Sequence, residues 1–185
     1  EQQHDFPGFA IRDRGPHDSM ARAGDRPAYD PVTYLQPLRG NQAALGFDPD
    51  SDPARAAAIQ ATLHSHAMTA TVPIRLVQDS SDPTGVLLTR AVAPRANGPG
   101  VLVEVLRMDR FVASLLATVQ QSIEVRISDQ QTRQALFDSM HADIPPDNPQ
   151  VIEFGGRTYH IATAPTPLYL ARHQSWQSWA VLVIG

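Results

Sequence analysis

Short runs in which apolar and polar residues alternate constrain the fold of this chain more than any other feature. The alternation is strict over Ile123–Ser128, and two further runs, Val151–Phe154 and Arg157–Thr163, flank Gly155 and Gly156. Such alternation is typical of strands with one buried face, and paired glycines between two runs predict a tight hairpin turn. Further strands are predicted at Val72–Gln78, Val86–Val92, Val101–Leu106 and Trp176–Val183.

Helical patterns are fewer and shorter. Ser51 or Asp52 can cap a helix whose first turn holds Pro53, and the helix is expected to end near Met68. Its predicted apolar stripe consists of Ala56, Ile59, Leu63 and Ala67. A second helix is predicted to start at Asp109 and a third to run over Thr132–Ser139. The order strand, helix, antiparallel strands occurs twice, which predicts an α+β fold of two lobes, residues 1–121 and 122–185.

Composition excludes several classes of protein. Of the 185 residues, 42% are hydrophobic and 18% charged, which is incompatible with a disordered tail, and a net charge of -4 gives no basic footprint for nucleic acid. Without cysteine the chain cannot form a disulfide or a thiolate metal site. No apolar stretch is long enough to span a membrane. The first residue is Glu1 and the last apolar run stops at Gly185, so we expect a fragment of a longer protein.

Catalytic and metal-binding patterns are weak. His64 and His66 stand two apart in a predicted helix, so their side chains point in different directions and cannot share one ion. Asp48, Asp50 and Asp52 alternate as in a calcium loop, but the glycine and closing glutamate of such a loop are missing; an acidic helix start explains them. We therefore predict no catalytic residue, no metal and no cofactor, and a hydrolase remains an alternative only if acidic or nucleophilic groups converge elsewhere.

The strands at Val72–Gln78 and Val86–Val92 are predicted to form a hairpin, and two of its polar residues admit alternatives. Arg75 lies in an apolar strand, where it is either a solvated edge residue or a planar donor for a ligand carboxylate. Thr89 precedes Arg90 in the partner strand and is either a β-branched filler or a hydroxyl lining a pocket.

Several segments together resemble the CHASE domain, a family of extracytoplasmic ligand-sensing modules found in histidine kinases and in cyclic-nucleotide or cyclic-di-GMP enzymes. The resemblance runs from about Phe6 to Val119 and rests on five segments: Tyr29–Pro37, Ala44–Asp48, Thr71–Gln78, Gly85–Leu88 and Val105–Asp109. It implies two PAS-like lobes with antiparallel sheets flanked by short helices, the membrane-distal lobe binding ligand. The long N-terminal helix of the family is absent from this sequence.

The resemblance also implies a pocket. Plant members bind cytokinins through an aspartate, and Pro37 stands nearest to that position, while Val103 replaces a small pocket residue; both differences argue against an adenine ligand. Leu76 and Thr89 carry over from the family's pocket floor. The predicted ligand-binding set is Tyr34, Pro37, Arg75, Leu76, Thr89 and Val103.

These observations predict the sensory domain of a transmembrane receptor rather than an enzyme. The expected ligand is a small molecule of unknown identity, and the expected location is the periplasmic side of an inner-membrane protein, next to transmembrane helices and in a homodimer. The alternative is a dimerisation or protein-interaction module that binds no ligand. An open cavity in the distal lobe would favour sensing, and a cavity filled by Val103, Leu76 and Tyr34 would favour the alternative.

Overall fold

The computed structural model describes residues 9–16, 19–76, 84–95, 98–117, 122–140 and 147–173. They form two compact units. The first contains the described residues up to Arg107 together with Phe154–Arg157. The second contains the described residues of Met108–Glu153 and those from Thr158 onward.

In its described residues the first unit combines one α-helix and two short 3-10 helices, Gln42–Ala44 and Pro49–Ser51, with two antiparallel sheets. Strands β1 (Arg12–Arg14) and β2 (Met20–Arg22) form the small sheet. The larger sheet contains β3 (Thr69–Ala70), β4 (Ile74–Arg75), β5 (Thr84–Arg95) and β6 (Gly98–Arg107). Strand β5 is central, because β6 pairs along one of its edges while β3 and β4 pair one after the other along the second edge.

Helix α1 (Pro53–Ser65) begins as the sequence predicts and buries a different stripe. The Asp52 carboxylate accepts hydrogen bonds from the backbone N–H groups of Ala54 and Arg55, at 3.0 and 3.2 Å, and Pro53 follows as the first helical residue. The buried residues of α1 are Arg55, Ala58, Ile59 and Thr62. Of the predicted apolar stripe, only Ile59 is buried. Arg55 and Thr62 are buried as well, because their polar side chains form hydrogen bonds.

The second unit is one antiparallel sheet with two short helices. Its elements are α2 (Met108–Leu116), β7 (Ile123–Asp129), β8 (Ala135–Asp138), β9 (Asp147–Phe154), β10 (Arg157–Pro165) and α3 (Pro167–His173), and the strand order is β8-β7-β10-β9. The predicted Gly155-Gly156 turn joins β9 to β10. The predicted strand Trp176–Val183 lies outside the described residues.

The helix predicted over Thr132–Ser139 is wrong, because this segment contains strand β8. A turn closed by Asp129 reverses the chain: its buried carboxylate accepts hydrogen bonds from the backbone N–H and the hydroxyl of Thr132, at 2.7 and 2.9 Å. Strand β8 then pairs with β7 and buries Leu136. The α+β class with antiparallel sheets and short helices is confirmed.

Candidate functional site

One face of the larger sheet is covered by helix α1, and we call it the α1 face. Side chains of alternate strand residues point to the same side, and the strand register identifies the members: Ile74 lies opposite Gly85, Leu87 opposite Val105 and Thr89 opposite Val103. The α1 face is thus defined by Ile74, Leu76, Gly85, Leu87, Thr89, Val101, Val103, Val105 and Arg107. A hydrogen bond shows that helix α1 lies on this face: the Thr89 hydroxyl donates to the Ala58 carbonyl oxygen of the helix at 3.2 Å.

Thr89 is the buried polar group of this face. Only 1% of Thr89 is exposed, and its hydroxyl lies 3.1 Å from the Thr69 carbonyl oxygen as well as close to that of Ala58. A threonine hydroxyl carries one hydrogen, so its donor is occupied by protein carbonyls. The Thr89 carbonyl in turn accepts from the Thr62 hydroxyl at 3.1 Å. Thr89 therefore joins β5 to α1 and β3, and it has only acceptor lone pairs left for another molecule.

Leu76 and Val103 supply the apolar part of the site. Leu76 belongs to a buried cluster with Ile74 and Leu87, and Val103 packs against that cluster from β6. Leu76 lies directly over Gly85, where an added Cβ atom would come within 2.7 Å of a Leu76 methyl carbon. Of the six predicted binding residues, the structure thus brings three together on the α1 face: Leu76, Thr89 and Val103.

The other three predicted residues lie elsewhere. Arg75 pairs with Thr84, so its side chain projects from the opposite face of the sheet. Its carbonyl oxygen accepts a hydrogen bond from the guanidinium of buried Arg55 at 2.9 Å, which fixes the backbone of β4. Tyr34 is 67% exposed and Pro37 is also exposed.

Arg107 is the functional candidate that the sequence interpretation missed. It lies opposite Gly85 in the register of β5 and β6, so it extends from the α1 face, and it is half-buried. The signal was present in the sequence: alternate strand residues share one face, so Val101, Val103, Val105 and Arg107 point to the same side.

The aspartates that precede α1 have structural partners. The fully buried Asp48 carboxylate pairs with the Arg26 guanidinium at 2.7 Å and also accepts from the Asp50 backbone N–H at 3.0 Å. Arg26 contacts Asp13 at 2.7 Å as well. Partial burial, followed by the nearby charges of Asp30 and Asp48, raises the pKa of Asp50 above its ordinary value. These contacts hold the entry to α1 together.

Metal-binding geometry is not found in the part of the chain that the structure describes, where no group of three or more His, Asp or Glu side chains could hold an ion. His64 and His66 are both exposed at the end of α1. Among the described residues, no helix has the length and apolar character needed to cross a membrane.

The mixed architecture and the helix-covered face place the chain in the PAS-like class of α+β modules. Residues 1–137 match the family model of the CHASE domain. The chain therefore belongs to the CHASE family, whose members are non-catalytic, extracytoplasmic sensory domains that detect small-molecule signals in membrane receptors. The resemblance inferred from sequence is confirmed. Among curated proteins, none matches the chain.

Proposed function

We propose that the first unit binds a small molecule on the α1 face and that the second unit relays its occupancy. The receptor would be a histidine kinase or a cyclic-di-GMP enzyme of the inner membrane, with this domain in the periplasm next to transmembrane helices. The observation that carries the proposal is the meeting of Leu76, Thr89 and Val103 on one helix-covered face. In this arrangement an apolar surface surrounds one hydroxyl, which is a common composition for a small-molecule site.

The ligand that suits this face is not an adenine cytokinin. Pro37 has no side-chain group that could form a hydrogen bond with the edge of an adenine ring. Val103 is larger than the small residue that it replaces, so it leaves less room for such a ring. Arg75, whose side chain projects from the opposite face of the sheet, is left out of the proposed site, and so are the exposed Tyr34 and Pro37.

A contact of the β9–β10 turn supports the relay. The Ala70 backbone N–H donates to the Gly155 carbonyl oxygen at 2.8 Å, and both residues belong to the first unit. Ala70 follows Thr69, whose carbonyl accepts from Thr89. The strands on either side of the turn continue into the second unit. A change at Thr89 would therefore act on the chain segment that leads to β9 and β10.

A ligand shifts such a receptor only by binding one of its states more tightly than the other. A metabolite library screened by thermal shift against the purified chain tests the proposal. A ligand at a hundred times its dissociation constant adds about 2.7 kcal/mol to stability. We expect at least one metabolite to raise the melting temperature of the wild type.

Matched tryptophan substitutions decide whether such a ligand uses the α1 face. Val103→Trp fills this face, whereas Leu102→Trp adds the same ring on the opposite face of the same strand, where Leu102 is 62% exposed. We expect Val103→Trp to abolish the shift and Leu102→Trp to keep it. A broad library without a binder, or a binder unaffected by Val103→Trp, would contradict the proposal.

A ligand-free dimerisation or protein-interaction module is the second candidate. Leu102 and Val92 favour it, since they are 62% and 42% exposed on the same face of the sheet and adjoining exposed apolar groups are typical of protein interfaces. Light scattering after gel filtration separates the two candidates. A homodimer that Leu102→Glu dissociates, in a chain that binds no metabolite, would favour this second function.

A further inference from the structure

Strand β6 forms one edge of the larger sheet. It pairs with β5 along one side, and no strand among the described residues pairs with its other side, which we call the free edge. The hydrogen bonds of Leu87 on β5 show the direction of the backbone groups. Its carbonyl oxygen accepts from the Thr71 N–H at 2.9 Å, and its N–H donates to the Thr71 hydroxyl oxygen at 3.0 Å. Thr71 follows β3, so the backbone groups of Leu87 point away from β6.

The register extends this observation to β6. Leu87 lies opposite Val105, Thr89 opposite Val103 and Ala91 opposite Val101. Opposed residues of an antiparallel pair alternate between those that exchange hydrogen bonds and those that do not, and Leu87 and Val105 belong to the second kind. The N–H and C=O groups of the three valines therefore point to the free edge. Such a row of backbone groups is a template for another strand.

Few of the features that protect edge strands occur in β6. Natural edges are blocked by lysines, prolines, bulges or several charges. The sequence contains no lysine, and Pro99 stands near the start of the strand. From Gly100 to Leu106 the single charged residue is Glu104. The central part of the free edge is therefore suited to pairing.

Apolar side chains are exposed on both faces of β6. Leu102 is 62% exposed on the face opposite α1, and Val105 is 36% exposed on the α1 face. Helix α1 is hydrogen-bonded over β5 at Thr89, which is only 1% exposed, and it leaves Val103 partly buried. A strand added beside β6 would cover apolar groups on both faces, whereas a small molecule would cover those of one face.

We propose that the free edge of β6 pairs in antiparallel orientation with β6 of a second copy of this chain. The strand fits itself when Leu102 lies opposite Leu102 of the second copy. Val101 then exchanges both backbone hydrogen bonds with Val103 of the second copy, and two-fold symmetry repeats the exchange for Val103. The pairing covers the free edges of both copies at once and joins the two sheets into one.

The position of the single charge selects this register. When the pairing is centred on Leu102, Glu104 lies opposite Gly100 of the second copy, which leaves room for the carboxylate to reach solvent. A pairing centred on Glu104 would place two carboxylates opposite each other, which is destabilising. A pairing centred on Val103 would place Glu104 against Leu102. The inference goes beyond the proposed sensing function, because the pairing uses backbone groups of the free edge and requires no ligand.

Single cysteines test the pairing on the purified chain, which has no cysteine of its own. Leu102→Cys places two thiols on opposed residues that exchange no hydrogen bonds, with Cα atoms about 4.5 Å apart, a distance that a disulfide spans. Glu104→Cys is the matched control on the same face of the same strand, where the two positions lie roughly 13 Å apart along the strands.

We expect Leu102→Cys to form a covalent dimer on a non-reducing gel after oxidation in air with copper phenanthroline. Glu104→Cys should form at least tenfold less. Equal cross-linking of the two variants, cross-linking of Glu104→Cys alone, or no cross-linking of either would overturn the inference.

A second measurement needs no cross-link. Sedimentation velocity of the wild type should show a dimer that increases with protein concentration. Leu102→Glu places two carboxylates opposite each other and should weaken the dimer at least tenfold, whereas Leu115→Glu, which replaces a leucine 61% exposed on α2, should keep it. Circular dichroism melting confirms that both variants fold. A wild type that is monomeric at every concentration, or a dimer unaffected by Leu102→Glu, would refute the pairing.

The pairing and the sensing function fail in distinguishable ways. A monomeric chain whose metabolite is excluded by Val103→Trp would keep the sensing function and overturn the pairing. A dimer cross-linked through Leu102→Cys that binds no metabolite would keep the pairing and contradict the sensing function.

Discussion

The two faces of the larger sheet carry different chemistry although the same strands form them. On β6, Val103 packs into the core of the α1 face, whereas its neighbour Leu102 is 62% exposed on the opposite face. On β5, Thr89 is buried beneath α1, whereas the next residue, Arg90, is exposed. Hydropathy does not separate Leu102 from Val103, but the position of α1 does. The difference teaches that membership of a face, rather than residue type, identifies which polar groups are available to a ligand.

The largest effect expected from this difference concerns stability. Leu87→Ala removes a nearly buried side chain of the α1 face and should cost about 2–5 kcal/mol. Leu102→Ala removes the same number of atoms from the opposite face and should change stability by about 0.5 kcal/mol or less. Urea denaturation measures both. Similar losses for the two variants would mean that the faces are not distinguished by packing.

The two glycines of the β9–β10 turn allow a comparison next to β3, the strand that Thr89 contacts. Gly155 has a φ of +58°, and an added Cβ atom would lie 2.7 Å from the Ala70 Cβ atom. Gly156 has a φ of +71° but nothing within 4 Å of such an atom. Gly155→Ala should therefore cost about 2–4 kcal/mol, from backbone strain plus overpacking, and Gly156→Ala about 1 kcal/mol, from strain alone. Thermal denaturation checks this order, and equal costs would show that the turn does not press against Ala70.

Threonine variants on one strand give the next smaller effect. Thr89→Val keeps the shape of the side chain but removes the donor to Ala58 and Thr69, and we expect a loss of about 1–3 kcal/mol. Thr84→Val lies on the opposite face of β5 and is half-buried, so its cost should stay within about 0.5 kcal/mol. Denaturation curves of both variants test this, and a neutral Thr89→Val would argue that its hydrogen bonds contribute nothing.

Local patterns were sufficient to predict much of the fold. The cap of α1, the alternating strands β7 and β10 and the Gly155-Gly156 turn all depend on neighbours in sequence, and all are found. Strand β8 could not be predicted in this way. Its conformation depends on pairing with β7, which no local pattern of Ala135–Asp138 indicates.

The candidate site could be predicted only in part for the same reason. Leu76, Thr89 and Val103 were found through family resemblance, and the structure brings them together. Arg75 was chosen because it interrupts an apolar run, but its face depends on the register with Thr84. Arg107 acquires its position from the register with Gly85. Cross-strand register is a tertiary property, so residue type alone could not separate the two arginines.

The smallest expected effect is a difference in the pH dependence of stability between the carboxylates that precede α1 and the α1 face. Burial, Asp30 and Asp48 raise the folded-state pKa of Asp50 above its ordinary value of 3.8. The folded state therefore binds this proton more tightly than the unfolded chain, and the contribution of Asp50 to stability is lost as pH rises through its folded pKa. Asp50→Asn should reduce that loss as pH rises above 3.8, whereas Thr89→Val, which removes no titrating group, should keep the wild-type slope. Thermal melts across this range measure both slopes, and an Asp50→Asn slope identical to wild type would contradict the coupling.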